Sequence, residues 1–519
     1  MGEATGNAAS PDRDLVIGHD VGTGGNKAVL ADVRGKLLAT AFHPYEVGYP
    51  RPGWAEQDPS DWWDAVCTCT RRLLEQSGAS PGRVLGMGFA GQMADTVPVD
   101  GEGEPLTPAV IWLDSRADRQ AEHIIRRLGG RRVLRRVAGA LPTGKDLVSK
   151  WLWFKQERPD LFSRTAKFLD ATGWLVFRAT GVMQVDRTGA GASGIFDPGR
   201  GDWNPLFLRL LGLPRKMLPD VKNSTTIAGT LTGRAAEELG LRPDTPVISG
   251  MSDIPAAAIG SGALEEGDAH VNLGTSGWLV VPVKKAPRLG RYGMVSLPSA
   301  DPELLIMIGE TETAGACLGW LADILEGGEG ERGGARDFSR FDREVEKEEP
   351  GAGGLIFCPW MFGERSPVPD TTLRAAFLNL SLEHRREHLL QAVYEGVALN
   401  LRWLVEAASG AGLPCRRLRA IGGGARSDAW MQVLADVTGR EVEAVEDPQE
   451  AGAMGAALAA AVAAGAYRDI KEVKRLVRVR RLFTPRPGTA AVYDKLFDAF
   501  RRAYPALSRL GASLNLPET

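Results

Sequence analysis

The sequence predicts an α/β protein of two similarly built domains, and three observations carry that expectation. The chain has 519 residues, well beyond the roughly 250–300 at which single hydrophobic cores stop growing, so each half can bury its own core. Residues 15–30, LVIGHDVGTGGNKAVL, read as two short apolar strands around a turn carrying Gly22, Gly24 and Gly25, a hairpin whose tip has almost no side chains. Residues 270–281, HVNLGTSGWLVV, repeat the pattern of strand, Gly-Thr, small residues and strand, roughly 250 residues downstream and so about half a chain away.

A bare hairpin tip lets backbone N–H groups approach a phosphate. The charges flanking the first one suit a phosphate site, since Asp20 at the end of the leading strand can hold Mg²⁺ through water, and Lys27 at the start of the returning strand can neutralise phosphate oxygens. A glycine-rich turn with an ordinary surface pair is the competing account of that hairpin taken alone.

Composition narrows the class. Hydrophobic residues make up 44% and charged residues of both signs 24%, the balance of an ordinary globular protein. A formal net charge of −3 argues against a nucleic-acid binder. The basic clusters at residues 126–136 and 471–481 are interleaved with aliphatics and read as solvated faces. The five cysteines, Cys67, Cys69, Cys317, Cys358 and Cys415, form no C-x-x-C pair and suit reduced thiols in the cytoplasm. Residues 1–13 are small and polar and read as a disordered tail rather than a signal peptide. The run at 451–467, AGAMGAALAAAVAAGAY, is uncharged but built of alanine and glycine, short of the roughly 20 strongly apolar residues of a membrane span. With Asp447, Pro448 and Glu450 ahead of it, it reads as a helix buried through its small residues, so no membrane partner is expected.

In chain order, the first hairpin is followed by a helix from Ser60 with Trp62, Trp63, Val66 and Leu73 on its apolar side. A strand at 84–89 ends at Gln92-Met93. A short strand at 109–112 stops at Asp114-Ser115-Arg116, where a long helix is expected, and a strand at 247–249 runs into Asp253 ahead of an alanine-rich helix. The second half repeats the logic with its hairpin, a helix at 315–325, a flexible acidic, glycine-rich insertion at 326–354 and a strand at 355–357. A long helix at 382–408, a strand at 418–421 and the triplet Gly422-Gly423-Gly424 before a helix carrying Trp430, Leu434 and Val437 come next. An amphipathic helix at 490–507 closes the chain. Strands alternating with helices imply mixed or parallel sheets with helices on their faces.

Three motif matches fail on context. Residues 139–146, GALPTGKD, have P-loop spacing, but Asp146 stands where Ser or Thr must meet Mg²⁺. Gly189, Gly191 and Gly194 spell G-x-G-x-x-G with no clear helix following. His384, Glu387 and His388 match an inverted zinc-protease spacing, but a solvated helix face accounts for them better.

The two hairpins resemble the actin-like (ribonuclease H-like) ATPase architecture, in which two α/β domains flank a central cleft. An ordered set of motifs selects a branch. Trp112-Leu113-Asp114-Ser115-Arg116, Asp253, Gly274-Thr275-Ser276, Gly363-Glu364-Arg365-Ser366-Pro367 and Gly422-Gly423-Gly424-Ala425-Arg426-Ser427 resemble the FGGY family of carbohydrate kinases in order and spacing, with the xylulokinase branch most alike. The resemblance covers residues 15–465. It implies a sugar-binding domain over 14–262, a nucleotide-binding domain over 263–519, and ATP with Mg²⁺ as cofactors. A small-molecule sugar or polyol is the implied partner, and a homodimer is compatible with it.

The resemblance also implies roles. Asp253 matches the catalytic base that takes the proton of the attacking sugar hydroxyl, its competing reading being a helix N-cap. Asp20 matches the metal-organising aspartate, and Thr23, Lys27, Gly274 and Thr275 the phosphate contacts. Gly423, Gly424 and Asp428 match nucleotide contacts, with adenosine over the bare triplet, and Gly315 a glycine near ribose and phosphates. Gln92, Met93, Trp112, Asp114 and Arg116 match the sugar site, although Asp114 alternatively caps the helix after it. One departure stands out: xylulokinases usually carry Gln-Met-His-Gly where this chain has Gln92-Met93-Ala94-Asp95, so a sugar-contacting histidine is absent. The rival readings are an actin-like ATPase and a catalytically silent, nucleotide-gated interaction protein. The first would not need Asp253 beside Trp112 and Arg116, and the second would not need the acid pair Asp20 and Asp253.

Overall fold

The computed structural model describes residues 13–132, 134, 141–326, 338–413 and 415–515. The expected N-terminal tail apart from Arg13, the first two residues of the P-loop-like stretch and residues 327–337 of the acidic insertion lie outside the described residues. Two compact units emerge. The first gathers the described residues of Met1–Leu264 with Leu297–Leu305 and Glu450–Val477, and the second those of Glu265–Ser296, Ile306–Gln449 and Arg478–Thr519.

The first unit is organised by β1 (Leu15–Gly22) and β2 (Gly25–Asp32), which pair antiparallel from Leu15↔Asp32 to Gly22↔Gly25, leaving Thr23 and Gly24 as the turn. Leu15, Ile17, Ala28 and Leu30 are completely buried on one face and Val16, Val29 and Ala31 on the other, and a slip by one residue would exchange the two sets between cores of different shape. On one side β2 pairs antiparallel with β3 (Leu37–Pro44). Helix α1 (Pro59–Ser77) covers this part of the sheet; Asp58 caps its first turn by accepting from Ser60 N, and Gly78 ends it in the left-handed conformation. On the other side β1 runs parallel to β4 (Val84–Gly91), a strand buried along its whole length. Beyond it, β5 (Ile227–Thr230) pairs antiparallel with β6 (Pro246–Ile248), which lies parallel to β4, and the two-residue β7 (Met251–Ser252) also pairs parallel with β4.

The second unit repeats the plan. β8 (Ala269–Leu273) and β9 (Gly277–Val283) form its hairpin, and the seven-stranded sheet runs β10–β11–β9–β8–β12–β13–β14. Here β10 is Val295–Pro298, β11 Leu305–Thr311, β12 Arg417–Ile421, β13 Glu441–Val445 and β14 Val479–Phe483. As in the first sheet, the hairpin's leading strand is parallel to the strand beside it, the next pair is parallel, and the last is antiparallel. The duplication read from two hairpins therefore extends through both sheets.

Several local expectations change. The strand expected over 109–112 is only Ala109–Val110, and the helix expected at Asp114–Arg116 begins at Asp118 and ends at Arg127. The reason is that Asp114 and Arg116 bind each other across a tight turn instead of starting a helix. The described end of the acidic insertion is not a loop throughout, since Ser339–Val345 is helical and buries Phe341 and Val345. Asp146 precedes helix α2 (Leu147–Glu157), with its Oδ2 accepting from Thr143 N at 2.7 Å, so the P-loop-like stretch serves as a helix start. His388 Nδ1 accepts from Arg385 N at 3.0 Å and caps a helix in place of binding metal. No helix among the described residues is long and apolar enough to cross a membrane.

Helices α3 (Asp253–Ser261), α4 (Gly315–Leu325), α5 (Arg386–Gly410) and α6 (Asp428–Thr438) stand at the expected places. Helix α7 (Ala451–Ala463) explains its own composition. It packs on β1, β4 and α3 so closely that a Cβ on Gly18 would fall 1.9 Å from Ala453 O, one on Gly260 1.8 Å from Ala451 O, and one on Gly455 1.9 Å from Ala256 O. Backbone meets backbone there, which only glycine permits.

Candidate active site

The end of β4 gathers the first set of candidate residues. In register, Ala90 and Gly91 pair with Asp20 and Val21 of β1 on one side and with Met251 and Ser252 of β7 on the other. Asp20 and Asp253 thus emerge at the carboxyl ends of strands that flank one shared neighbour, two strand spacings or about 10 Å apart. The crevice beyond the carboxyl ends of parallel strands is where α/β sheets bind ligands.

Gln92, the next residue on β4's chain, is buried and anchors a polar network. Its backbone N–H donates to Val21 O at 3.0 Å. Its Oε1 accepts from Thr23 Oγ1 at 3.1 Å, and its Nε2 donates to Gln57 Oε1 at 2.7 Å. Trp112 Nε1 donates to Thr23 Oγ1 at 2.8 Å, and Gln57 Nε2 donates to Thr23 O at 2.8 Å. The structure therefore joins Thr23, expected at a phosphate, to Gln92 and Trp112, expected at a sugar. The Thr23 hydroxyl gives its proton to Gln92 and accepts from Trp112, so what Thr23 can offer an incoming phosphate is its backbone N–H. Tyr45 steadies the same tip by donating to Gly22 O at 2.5 Å.

Asp20 sits across from Lys27 in the hairpin register. Burial raises its carboxyl above the ordinary aspartate range, and Lys27 opposes that shift. Gly452, in the first turn of α7, is what lets the carboxylate lie where it does: a Cβ there would fall 2.4 Å from Asp20 Oδ2. Asp253 is the first residue of α3, and its Oδ1 accepts from Ile254 N at 2.8 Å. Before it, Ser252 N donates to Thr188 Oγ1 at 2.8 Å, and Thr188 is held by Asp186 at the start of a short helix.

The turn after Gln92 carries half-buried Met93, then Ala94 at φ 63°, then fully buried Asp95. Asp95 Oδ1 accepts from Trp112 N at 3.0 Å. Burial pushes its carboxyl well above the ordinary range, with Asp170 and Asp253 adding to the rise and Lys150 opposing it. Asp114 is buried and fully engaged: Oδ2 accepts from Ala55 N at 2.6 Å, and both oxygens bind Arg116. The Arg116 guanidinium also reaches Glu56 at 2.8 Å and lies 3.6 Å above the Trp54 ring. Asp114 and Arg116 hence hold each other and the segment at 54–56.

In the second unit, Gly274, Thr275 and Ser276 form the hairpin turn, and the carbonyls of Gly274 and Thr275 accept from Gly315 N at 2.8 Å and Ala314 N at 2.9 Å. The turn is thereby tied to the start of α4. A Cβ on Gly315 would meet Gly274 O at 2.7 Å. The triplet has a similar internal reason: Cβ atoms on Gly422 and Gly424 would fall 2.4 Å from Asn272 Oδ1 and 2.7 Å from Leu273 Cβ, whereas Gly423 is tight only against Gln449. Gly424→Val is therefore expected to destabilise the second unit by about 1–3 kcal/mol even without nucleotide, read as a lower denaturation midpoint of the apo protein; an unshifted midpoint would contradict this packing. Asp428 starts α6 behind the Ser427 cap, and its carboxylate pairs with Arg480 and Arg481, each at 2.6 Å. Those arginines hold it below the ordinary aspartate range against the effect of burial.

Gln57, Lys150 and Gly452 were not singled out by sequence reasoning. Lys150 had a visible mark, a lone charge inside the apolar run 147–154; Gln57 and Gly452 had none.

Known proteins share the two-domain plan of this chain. Residues 15–260 match the model of the N-terminal domain of the FGGY family of carbohydrate kinases, and residues 269–464 that of its C-terminal domain. The chain is 28% identical to a xylulose kinase of Bacillus subtilis (strain 168) over 500 residues, covering 96% of this chain and 98% of that one. It is also 28% identical to a gluconokinase of the same organism over 492 residues, covering 93% and 94%. Among solved structures, the xylulose kinase from Rhodospirillum rubrum superposes with a TM-score of 0.84 at 29% identity, covering 96% of this chain and 99% of that one. Matched in both domains across nearly its whole length, with two α/β sheets built on the same hairpin plan, the chain belongs to the FGGY family of carbohydrate kinases.

Proposed function

We propose that the protein transfers the γ-phosphoryl group of ATP to a primary hydroxyl of a neutral ketose, xylulose or a close relative, in the cytoplasm. The observation that carries this reading is the placement of Asp20 and Asp253 on either side of the end of β4, next to the network of Gln92, Thr23 and Trp112.

On this reading the residues divide the work. The Trp112 ring face gives the sugar carbons an apolar platform, its indole N–H fixed by Thr23. Asp253 accepts the proton of the attacking hydroxyl as the new P–O bond forms. Asp20 and Lys27 lie at the phosphate end, and the hairpin N–H groups complete the cradle. Among the described residues no cluster of three or more His, Cys, Asp or Glu forms a metal cage. A lone carboxylate, given room by Gly452, fits Mg²⁺ arriving with nucleotide phosphates, since that ion is usually held by one or two carboxylates plus phosphate oxygens. When bound, the ion would neutralise charge on the transferring phosphoryl.

A gluconokinase relative as similar as the xylulose kinase raises a second reading, an acid-sugar substrate. The local charges favour the neutral sugar. Asp253, ionised if it is to accept a proton, stands at that pocket, and the Arg116 guanidinium is already taken by Asp114 and Glu56. A sugar carboxylate entering there would meet like charge, which costs affinity.

The test is kcat/KM for D-xylulose, its epimers and D-gluconate. A neutral ketose is expected to lead gluconate by at least about tenfold, the size of one adverse charge contact; a preference for gluconate would overturn the reading. Within the ketoses, Ala94→His restores the usual family residue at a backbone angle that histidine tolerates. It is expected to change the ranking of D-xylulose among its epimers, and identical rankings in parent and variant would show that the departure is neutral.

A further inference from the structure

Lys150 is fully enclosed in α2, among Leu147, Trp151 and Phe154. Burying an ammonium group is costly unless its hydrogens are satisfied, and here they go to two backbone carbonyls. Nζ donates to Ala94 O at 2.7 Å and to Ile111 O at 2.8 Å. Those carbonyls belong to the two segments that carry Gln92 and Met93 on one side and Trp112 on the other. The same segments are joined twice more: Thr96 and Val110 exchange both backbone hydrogen bonds at 3.0 Å, and Asp95 Oδ1 accepts from Trp112 N. Ala94 is held at φ 63°, a conformation that a non-glycine residue keeps only when its surroundings fix it.

Resting on the reading that these segments form the sugar site, we propose that Lys150 is a positioning residue: with Asp95 it locks the Gln92–Ala94 turn to the Trp112 segment and so sets the affinity for the sugar. It touches no reacting atom. Its effect passes through the carbonyls of Ala94 and Ile111, which it draws together, and through the aromatic platform one residue further on.

The groups facing Lys150 give the clamp a pH dependence. Asp95, Asp114 and Asp146 favour its charge and Arg116 opposes it, while burial dominates and pulls it down to about 8. Asp95 in turn faces Asp170 and Asp253. The protonated ammonium makes charge-assisted bonds to both carbonyls, so the clamp is strongest below that value and weakens to the two N–H bonds of a neutral amine as pH rises through it.

The experiment is amide hydrogen exchange of the whole protein combined with steady-state kinetics, on the parent, Lys150→Met and Lys150→Gln. Glutamine keeps two N–H donors on a shorter arm, so it retains a folded comparison if methionine proves too disruptive. In both variants, exchange at residues 94–96 and 110–112 is expected to quicken about tenfold while the amides of β1 stay as in the parent. The sugar KM should rise about tenfold with the ATP KM within about twofold. The parent's sugar KM should climb above about pH 8 and the variants' should not. Unchanged local exchange, exchange that quickens equally in β1, or an unchanged sugar KM would each overturn the proposal. If the parent phosphorylates no neutral sugar at all, the substrate reading fails by itself, and the exchange of those amides still decides whether Lys150 clamps the two segments.

Discussion

Asp253→Asn is expected to bind nucleotide like the parent while phosphorylating its sugar at least about 10²-fold more slowly, the low end for loss of a general base. The substitution is nearly isosteric. The asparagine oxygen can still accept from Ile254 N, as Asp253 Oδ1 does at 2.8 Å, so the start of α3 should persist. What disappears is the ability to take a proton as the sugar oxygen attacks. Single-turnover rates at saturating sugar and ATP separate that loss from binding. Turnover within a few-fold of the parent would remove Asp253 from the role of base, because a helix-capping aspartate would show its loss in stability rather than in rate.

The second large effect is structural. Gly455→Ala is expected to destabilise the first unit by about 3 kcal/mol, the upper range for overpacking a filled interior. The added methyl would lie 1.9 Å from Ala256 O, and a backbone carbonyl inside α3 has no rotamer by which to move aside. Helix α7 would have to shift away from α3, which begins with Asp253, and from β1, which carries Asp20. Activity should therefore fall along with stability. Gly319→Ala in α4 is the control, since a Cβ there meets nothing within 4 Å and alanine favours a helix over glycine by about 1 kcal/mol. Equal denaturation midpoints for Gly455→Ala and the parent would show that the helices are not packed this closely.

Much of this plan was legible in the sequence because it is local. The hairpin at residues 15–30 announces itself through bare glycines between two apolar strands, and its echo at 270–281 announces the duplication. The alanine-rich composition of α7 showed that it would be buried through small residues. That it packs on β1 and β4, strands more than 300 residues earlier, leaves no trace in periodicity, which reports which face is apolar but not what will cover it.

The candidate site divides in the same way. Asp20, Gln92 and Asp253 were legible as polar residues at strand ends. The meaning of Thr23 was not, because its hydroxyl is taken by Gln92 and by Trp112, 89 residues away in sequence. The glycine triplet was legible as a place without side chains, yet Gly422 and Gly424 owe their bareness to Asn272 and Leu273, partners that appear only once β8 and β12 lie side by side. Asp114 and Arg116 were legible as a polar pair after a strand but not as partners of each other; the turn puts them in each other's grip, and Arg116 also reaches Glu56 and the Trp54 ring.

The phosphoryl group is expected to end on the primary oxygen of a sugar carbon, and proton-coupled ³¹P spectroscopy of the reaction with ATP and the preferred ketose tests that most directly. A phosphate ester on a CH₂OH carbon couples to two protons, so a new ester resonance split into a triplet is expected, growing in step with ADP. Inorganic phosphate accumulating in step with ADP and no ester resonance would contradict it and leave the chain as an ATPase on the same fold.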